Sequence, residues 1–261
     1  MTRVSSLGKY LLICDEPDAV LLGSTALGQI PVLRKQGLCI FSVEPNAVRL
    51  QQALDAVKHE EAPRYLFDKF HLWISRNDRG RWQKLLDKFF GLIADEYEAL
   101  IDIPRNIENI SNLLGFLSSL VGPLSHALVV DYGCGTGLSI RPGRETSVTL
   151  IGVDRCPRMR AIATSRGMLT WSPGDLARQL SGSVHAAFAS YVLHLLPETH
   201  GLRLLWARLK PGGVLVANFH KGQGIELVAD CLSEQHALIR RLDSPAGAQR
   251  HGPYFAYVKQ K

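Results

Sequence analysis

The stretch LVVDYGCGTG, residues 128–137, constrains this chain more than any other. An apolar run ends in Asp131, and glycines then fall at alternate positions, Gly133, Gly135 and Gly137. Glycine tolerates positive φ and lets backbone come close to a ligand. Such a loop between a parallel strand and a helix sits at the carboxyl edge of a sheet, where doubly wound folds bind ligands. The spacing is G-x-G-x-G. A dinucleotide fingerprint requires glycine where Leu138 stands, and no Walker lysine follows. The helix after the loop meets Pro142 and Gly143 almost at once, which predicts a short first helix.

From Leu128 onward, short apolar runs alternate with helical stretches: HALVVDY, VTLIGVD, AAFASYV and GVLVANF. Continuous apolar strands separated by helices predict a parallel sheet covered on both faces. HALIRRLD and GPYFAYVKQK read as two further strands that close the sheet as an antiparallel pair. The expected class is α/β: a Rossmann-like doubly wound sheet, mostly parallel with an antiparallel C-terminal strand. An N-terminal β-hairpin and helical extension precedes it.

Two acids downstream of the loop carry chemistry. TLIGVD places Asp154 at the end of the second strand, where a carboxylate accepts from both hydroxyls of a ribose. SPGDLA places Asp175 after the third strand, where it can accept from an adenine amino group. With the loop, these segments and FASYVLHLLPE and LKPGGVLVANF form an ordered series. The series resembles the class I S-adenosylmethionine-dependent methyltransferases, and within them the small-molecule branch that includes the ubiquinone and menaquinone biosynthesis enzymes. VVDYGCGTG resembles that branch's first motif, GVDRCPRM its D-x-S-P-x-M segment, SYVLHLLP its V-L-H-H-L-P segment and LKPGGVLV its L-K-P-G-G motif. The likeness covers about residues 95–220 and says little about residues 1–90.

The resemblance implies S-adenosylmethionine as cofactor, held by Asp131, Gly133, Cys134, Gly135 and Gly137 in the loop. Cys134 is expected to serve there as a small packing residue. Asp154 and Arg155 would meet the nucleoside, Asp175 and Leu176 the adenine edge, and Ser190 and Tyr191 the methionyl and sulfonium end. Tyr97 is a candidate to cover the cofactor. Cys156 stands where the family has a serine N-cap before Pro157. His194 and His220 both follow strands at the productive edge, and they are the candidate general bases. His185 and His200 read as surface residues.

Upstream, KYLLIC and AVLLG flank DEPD, and PVLR and LCIFSV flank KQG, which predicts one or two hairpins. Residues 45–120 read as mostly helical, with Leu86, Phe89, Phe90, Ile93, Tyr97, Leu100 and Ile101 recurring at three- and four-residue steps. Asp102 and Pro104 predict a break before a second helix, and HLWISRNDRGRW reads as a polar connection. The expected division is residues 1–90 as a lid, dimerising surface or docking module, and residues 91–261 as the cofactor-binding domain.

Residues 1–120 carry 14 Lys+Arg against 15 Asp+Glu, so the net charge of +6 comes from the remainder. A basic C-terminal part suits an anionic or carrier-bound small molecule. Nucleic acid is disfavoured, because the arginines form no dense run and no N-P-P-Y type segment follows the fourth strand. No run reaches the roughly 18 apolar residues of a membrane span, and no signal peptide is evident at the N-terminus. The five cysteines form no CxxC pair or Cys/His cluster, which predicts no metal and the reduced thiols of a cytoplasmic protein. The sequence therefore predicts methyl transfer from S-adenosylmethionine to an O, N or C nucleophile of a small molecule, with a homodimer through the N-terminal extension as the expected assembly. The alternatives are an RNA methyltransferase and a non-catalytic cofactor-binding partner subunit.

Overall fold

The computed structural model describes residue 7 and residues 11–15, 31–42, 61–67, 70–75, 79–195, 199–220 and 224–260. The chain forms two units, Met1–Ile101 and Asp102–Lys261.

The first unit is built on a five-stranded sheet in the order β2-β3-β1-β5-β4. Its strands are β1 (Leu11–Asp15), β2 (Leu33–Lys35), β3 (Leu38–Ser42), β4 (Glu61–Phe67) and β5 (Phe70–Ser75). The hairpin expected around KQG is β2–β3. Gln36 and Gly37 both take positive φ (55° and 72°), the two-residue turn whose twist matches paired strands. The second arm of the other expected hairpin, AVLLG, lies outside the described residues; β1 pairs antiparallel with β3 and parallel with β5. The polar connection expected at HLWISRNDRGRW is also corrected, since β5 occupies its first part. Phe70 and Leu72 are buried and His71 between them is half-buried, a period of two that the following Asn77, Asp78 and Gly80 obscured. Pro63 lies in β4, the edge strand, where a missing N–H is tolerated. The helical expectation for residues 45–60 lies outside the described residues.

Helix α1 (Arg79–Ile93) follows and buries Leu85, Leu86, Phe89 and Ile93 at the expected steps. A short 3₁₀ turn leads to α2 (Tyr97–Leu100). Arg81 on α1 grips Asp15 of β1 through both carboxylate oxygens, at 2.9 and 2.7 Å.

The second unit opens with α3 (Ile103–Val121). Asp102 caps it by accepting from the Arg105 N–H at 3.0 Å, and Pro104 sits in the first turn. A seven-stranded sheet follows in the order β11-β12-β10-β9-β6-β7-β8. Its strands are β6 (Leu128–Tyr132), β7 (Thr149–Val153), β8 (Leu169–Trp171), β9 (Val184–Ala189), β10 (Leu209–Asn218), β11 (Ala237–Leu242) and β12 (Tyr254–Lys259). Strands β8, β7, β6, β9 and β10 pair in parallel, while β12 runs antiparallel to both β10 and β11. This is the mostly parallel, Rossmann-like sheet with an antiparallel C-terminal strand that the pattern predicts.

Alternate strand residues face opposite cores. Val129, Ala186, Phe188, Val214 and Val216 meet Ile110, Leu113, Leu114 and Leu117 of α3. Val130, Ala187, Ala189, Leu215 and Ala217 lie with Leu202, Leu205 and Trp206 of α7 (Thr199–Arg208) and Val228 and Leu232 of α8 (Ile225–Ser233). Each fully buried Leu or Phe contributes roughly 1.5–3 kcal/mol, so the two faces together fix the sheet.

The helix after the glycine loop, α4 (Ile140–Glu145), is six residues long, as Pro142 and Gly143 suggest. Pro142 falls in the first turn, where no intrahelical N–H is lost. Gly143 lets the helix lie against β7, since a Cβ there would stand 2.3 Å from Leu150 Cδ1.

The chain enters β12 through a similarly tight point. Gly252 has φ 82° and ψ −179°, a conformation open essentially to glycine, and a Cβ there would lie 2.1 Å from the Phe219 carbonyl oxygen. Gly252→Ala is therefore expected to destabilise the protein by about 3 kcal/mol. The urea midpoint reads this directly, and a midpoint unchanged from wild type would contradict it.

Candidate functional site

The sheet order reverses between β6 and β9, whose chains leave toward opposite edges, and this switch point is where open α/β sheets bind ligands. The glycine loop folds over the carboxyl end of β7. The N–H groups of Gly133 and Cys134 both donate to the Val153 carbonyl, at 2.7 and 3.2 Å. Gly133, Gly135 and Gly137 have φ of 80°, 52° and 84°. A Cβ on Gly133 would stand 2.3 Å from Val192, so the segment leaving β9 lies directly against the loop.

Asp154 ties this loop to the next turn. One carboxylate oxygen accepts from the Gly135 N–H at 2.9 Å, and the other from the Cys156 N–H at 2.8 Å. The Arg160 guanidinium donates to the backbone carbonyls of Asp154 and Arg155, at 2.6 and 3.0 Å, while the Arg155 side chain is exposed.

Beneath the loop, Cys134 packs with Ala163 and Met168, and burial raises its thiol well above the usual range. Cys156 precedes α5 (Pro157–Ser165) and makes no side-chain cap, as its replacement of serine suggests.

Asp175 begins α6 (Pro173–Ala177) and has local duties. Its carboxylate accepts from the Ser172 N–H and hydroxyl, both at 2.7 Å, and the Ser172 hydroxyl accepts in return from the Asp175 N–H. Arg178 pairs with its other oxygen. The Leu176 N–H bonds the Ser172 carbonyl at 3.0 Å and its side chain is buried.

On the far side of the switch point, Ser190, Tyr191, His194 and His220 gather at the ends of β9 and β10. The Tyr191 ring lies edge-on to His194 and His220, with centroids at 6.3 and 6.1 Å, and the two imidazoles are 6.0 Å apart. Tyr191 has φ 56°, an unusual conformation for a bulky residue. A buried amide network holds it there. The Tyr191 N–H donates to Asn218 Oδ1 at 2.8 Å, and Asn109 donates to the same oxygen at 2.9 Å and to Ser190 Oγ at 2.8 Å. The Tyr254 hydroxyl donates to Asn109 Oδ1, and Asn218 Nδ2 to the His251 carbonyl, each at 2.8 Å.

Sequence reasoning did not find Asn109, Asn218, Ser139 or His251, which lie in no recognisable motif. His251 is fully buried, with Nδ1 2.5 Å from the Tyr191 hydroxyl. Burial, followed by the charges of Arg105 and Arg250, lowers it to about 4. Burial, followed by His220, likewise lowers His194 to about 4. His185, expected at the surface, is half-buried instead and accepts from the Leu128 N–H through Nδ1 at 3.1 Å. Tyr97 belongs to the first unit, where its ring lies against Phe90. Among the described residues no group of His, Cys, Asp and Glu is arranged to hold a metal ion.

Asp131 is 3% exposed and accepts from the Ser139 hydroxyl at 2.5 Å. Burial raises its carboxyl to about 7, against the restraint of that hydrogen bond and with a further rise from Asp154. Between about pH 4 and 7 the folded chain thus holds a proton that the unfolded chain has released, so this group makes stability fall as pH rises. His194 and His251 act oppositely between about 4 and 6.5, because the unfolded chain binds the extra protons. Asp131→Asn removes only the falling contribution. Its urea midpoint is expected to rise more steeply than wild type between about pH 5 and 6.5; equal slopes would refute the raised carboxyl.

Residues 129–213 match the methyltransferase domain family. The trans-aconitate 2-methyltransferase of Deinococcus radiodurans is 36% identical over 104 residues, which are 38% of this chain and 40% of that protein. The chain thus spans about two fifths of that curated relative's length. Among solved structures, a chain of the complex between the Haloferax volcanii Trm112 methyltransferase activator and a methyltransferase is 15% identical. The match covers 66% of this chain and 98% of that one, with a TM-score of 0.49. A Thermotoga maritima S-adenosylmethionine-dependent methyltransferase is 17% identical, covering 66% and 99% with a TM-score of 0.47. Residues 129–213, which hold the switch-point glycine loop and run from β6 into β10, are thus the part of the chain that is similar to methyltransferase domains.

Proposed function

We propose that this protein moves a methyl group from S-adenosylmethionine to a small molecule. The observation that carries the reading is the Asp154 carboxylate at the end of β7, which joins the glycine loop to the next turn through the Gly135 and Cys156 N–H groups. A ribose diol suits a carboxylate at this place, and a nucleoside suits the glycine-loop backbone beside it. Asp131 and Ser190 lie at the strand ends where the methionyl part would reach. The capping duties of Asp175 and Leu176 make them part of the wall beside the adenine.

Methyl transfer is an in-line displacement at a cationic sulfonium whose leaving group is a neutral thioether. No acid is required, and catalysis rests on holding the nucleophile close and in line. His194, buried and lowered to about 4, is too weak a base to be the proton acceptor and serves as wall. His220 is the histidine we assign to proton transfer where the acceptor requires it. The relative's substrate, trans-aconitate, is a small acid, and the basic balance of residues 121–261 suits an anionic molecule here as well.

Isothermal titration with S-adenosylmethionine is expected to show one site, and Gly135→Arg to abolish it by filling the loop. Asp154→Ala should weaken binding at least tenfold, since two hydrogen bonds to a charged acceptor are worth roughly 1.5–3 kcal/mol each. Wild-type protein that binds no S-adenosylmethionine would end the proposal.

A further inference from the structure

The segment that leaves β9 is shaped by a residue that no ligand can touch. Asn218, at the end of β10, is fully buried, and its side chain reaches two backbones at once. Its Oδ1 accepts from the Tyr191 N–H, and its Nδ2 donates to the His251 carbonyl, each at 2.8 Å. A backbone N–H can only donate and a carbonyl can only accept, so these two partners fix which way the amide points. From α3, Asn109 braces the arrangement by donating to the same Asn218 oxygen and to Ser190 Oγ. Tyr191 is thereby kept at φ 56°, in the left-handed region that crowds Cβ against the following carbonyl. A bulky residue stays there only where its surroundings impose it, and the Asn218 bond acts on the very peptide that carries the strain.

The consequence appears one residue on. The half-buried Val192 lies against Gly133, where a Cβ would stand 2.3 Å from Val192 Cγ2 and 2.9 Å from Cγ1. Gly133 is the first glycine of the loop, with φ 80° and its N–H on the Val153 carbonyl at 2.7 Å. The dihedral angles of Tyr191 set the direction in which the chain carries Val192. Relaxation of Tyr191 to negative φ would turn Val192 off Gly133 and uncover the first turn of the loop.

We infer that Asn218 is a positioning residue for the cofactor: by holding Tyr191 left-handed it seats Val192 on Gly133 and keeps the glycine loop in its binding form. This rests on the reading above of the loop as an S-adenosylmethionine site. Being fully buried, Asn218 acts only through Tyr191 and Val192. Without it the seated arrangement becomes one of several that the segment samples, and the apparent affinity falls by the fraction that stays seated.

The test is a double-mutant cycle read by calorimetric titration with S-adenosylhomocysteine. Wild type, Asn218→Ala, Tyr191→Gly and the double variant are compared. Glycine enters positive φ freely, so Tyr191→Gly makes the Asn218 bond dispensable for the backbone. Asn218→Ala is expected to weaken binding about tenfold when Tyr191 is present, and less than about threefold when Tyr191→Gly is present as well. A residue that only supported the fold would lower the urea midpoint and leave the affinity of the folded protein unchanged. Val192→Ala leaves every bond of the amide network in place, and it decides the matter alone if Asn218→Ala does not fold. It is expected to weaken binding about fourfold, the equivalent of one buried methylene. Unchanged affinity in Asn218→Ala, equal losses with and without Tyr191→Gly, or unchanged affinity in Val192→Ala would overturn the assignment while leaving the methyltransferase reading in place. Wild-type protein that binds no S-adenosylhomocysteine would overturn both.

Discussion

The clamp at Asp154 is the constraint on which the glycine loop of this protein depends. A loop of alternating glycines has little of its own to hold it, since glycine loses more conformational freedom on folding than any other residue. Here the Val153 carbonyl anchors the loop's first two N–H groups, and Asp154 draws in the third from the opposite side. The same carboxylate orders the start of α5 through Cys156, which compensates for the absent serine cap. One acid thus shapes the loop and starts the next helix.

The ends of β9 and β10 rest on a different device. Asn109 on α3 and Asn218 at the end of β10 join amide to amide at 2.9 Å in a fully buried setting. Buried polar groups stay favourable only when satisfied, and here Ser190, Tyr254, the Tyr191 N–H and the His251 carbonyl complete the set. Because each member has one geometry in which all are satisfied, the network carries Tyr191 into a conformation it would not adopt alone. The glycine loop is therefore held mainly by backbone groups, and the cluster around Tyr191 by side chains.

Much of this was legible beforehand, where the encoding is local. The apolar runs at Val129–Val130, Ala186–Ala189 and Val214–Ala217 announce buried parallel strands, because each must cover both faces of the sheet. Pro142 and Gly143 announce a short helix correctly, though the close approach to Leu150 that makes glycine necessary there is a tertiary fact. The N-terminal unit was less legible. Strand β5 hides within a segment rich in turn residues, and β1 pairs with β3 and β5, neither of which is its neighbour in sequence.

The sequence by itself determined the doubly wound sheet, the glycine loop and the acid beside it, because dihedral preference, burial period and turn chemistry act over a few residues. Only the tertiary structure decided what gathers at the ends of β9 and β10. Tyr191 meets a histidine 60 residues away, and Asn109 meets partners 81, 109 and 145 residues away. No local pattern records such pairings. They exist because the sheet brings the ends of β9, β10 and β12 against α3, where buried amides and rings must find one another or remain unsatisfied.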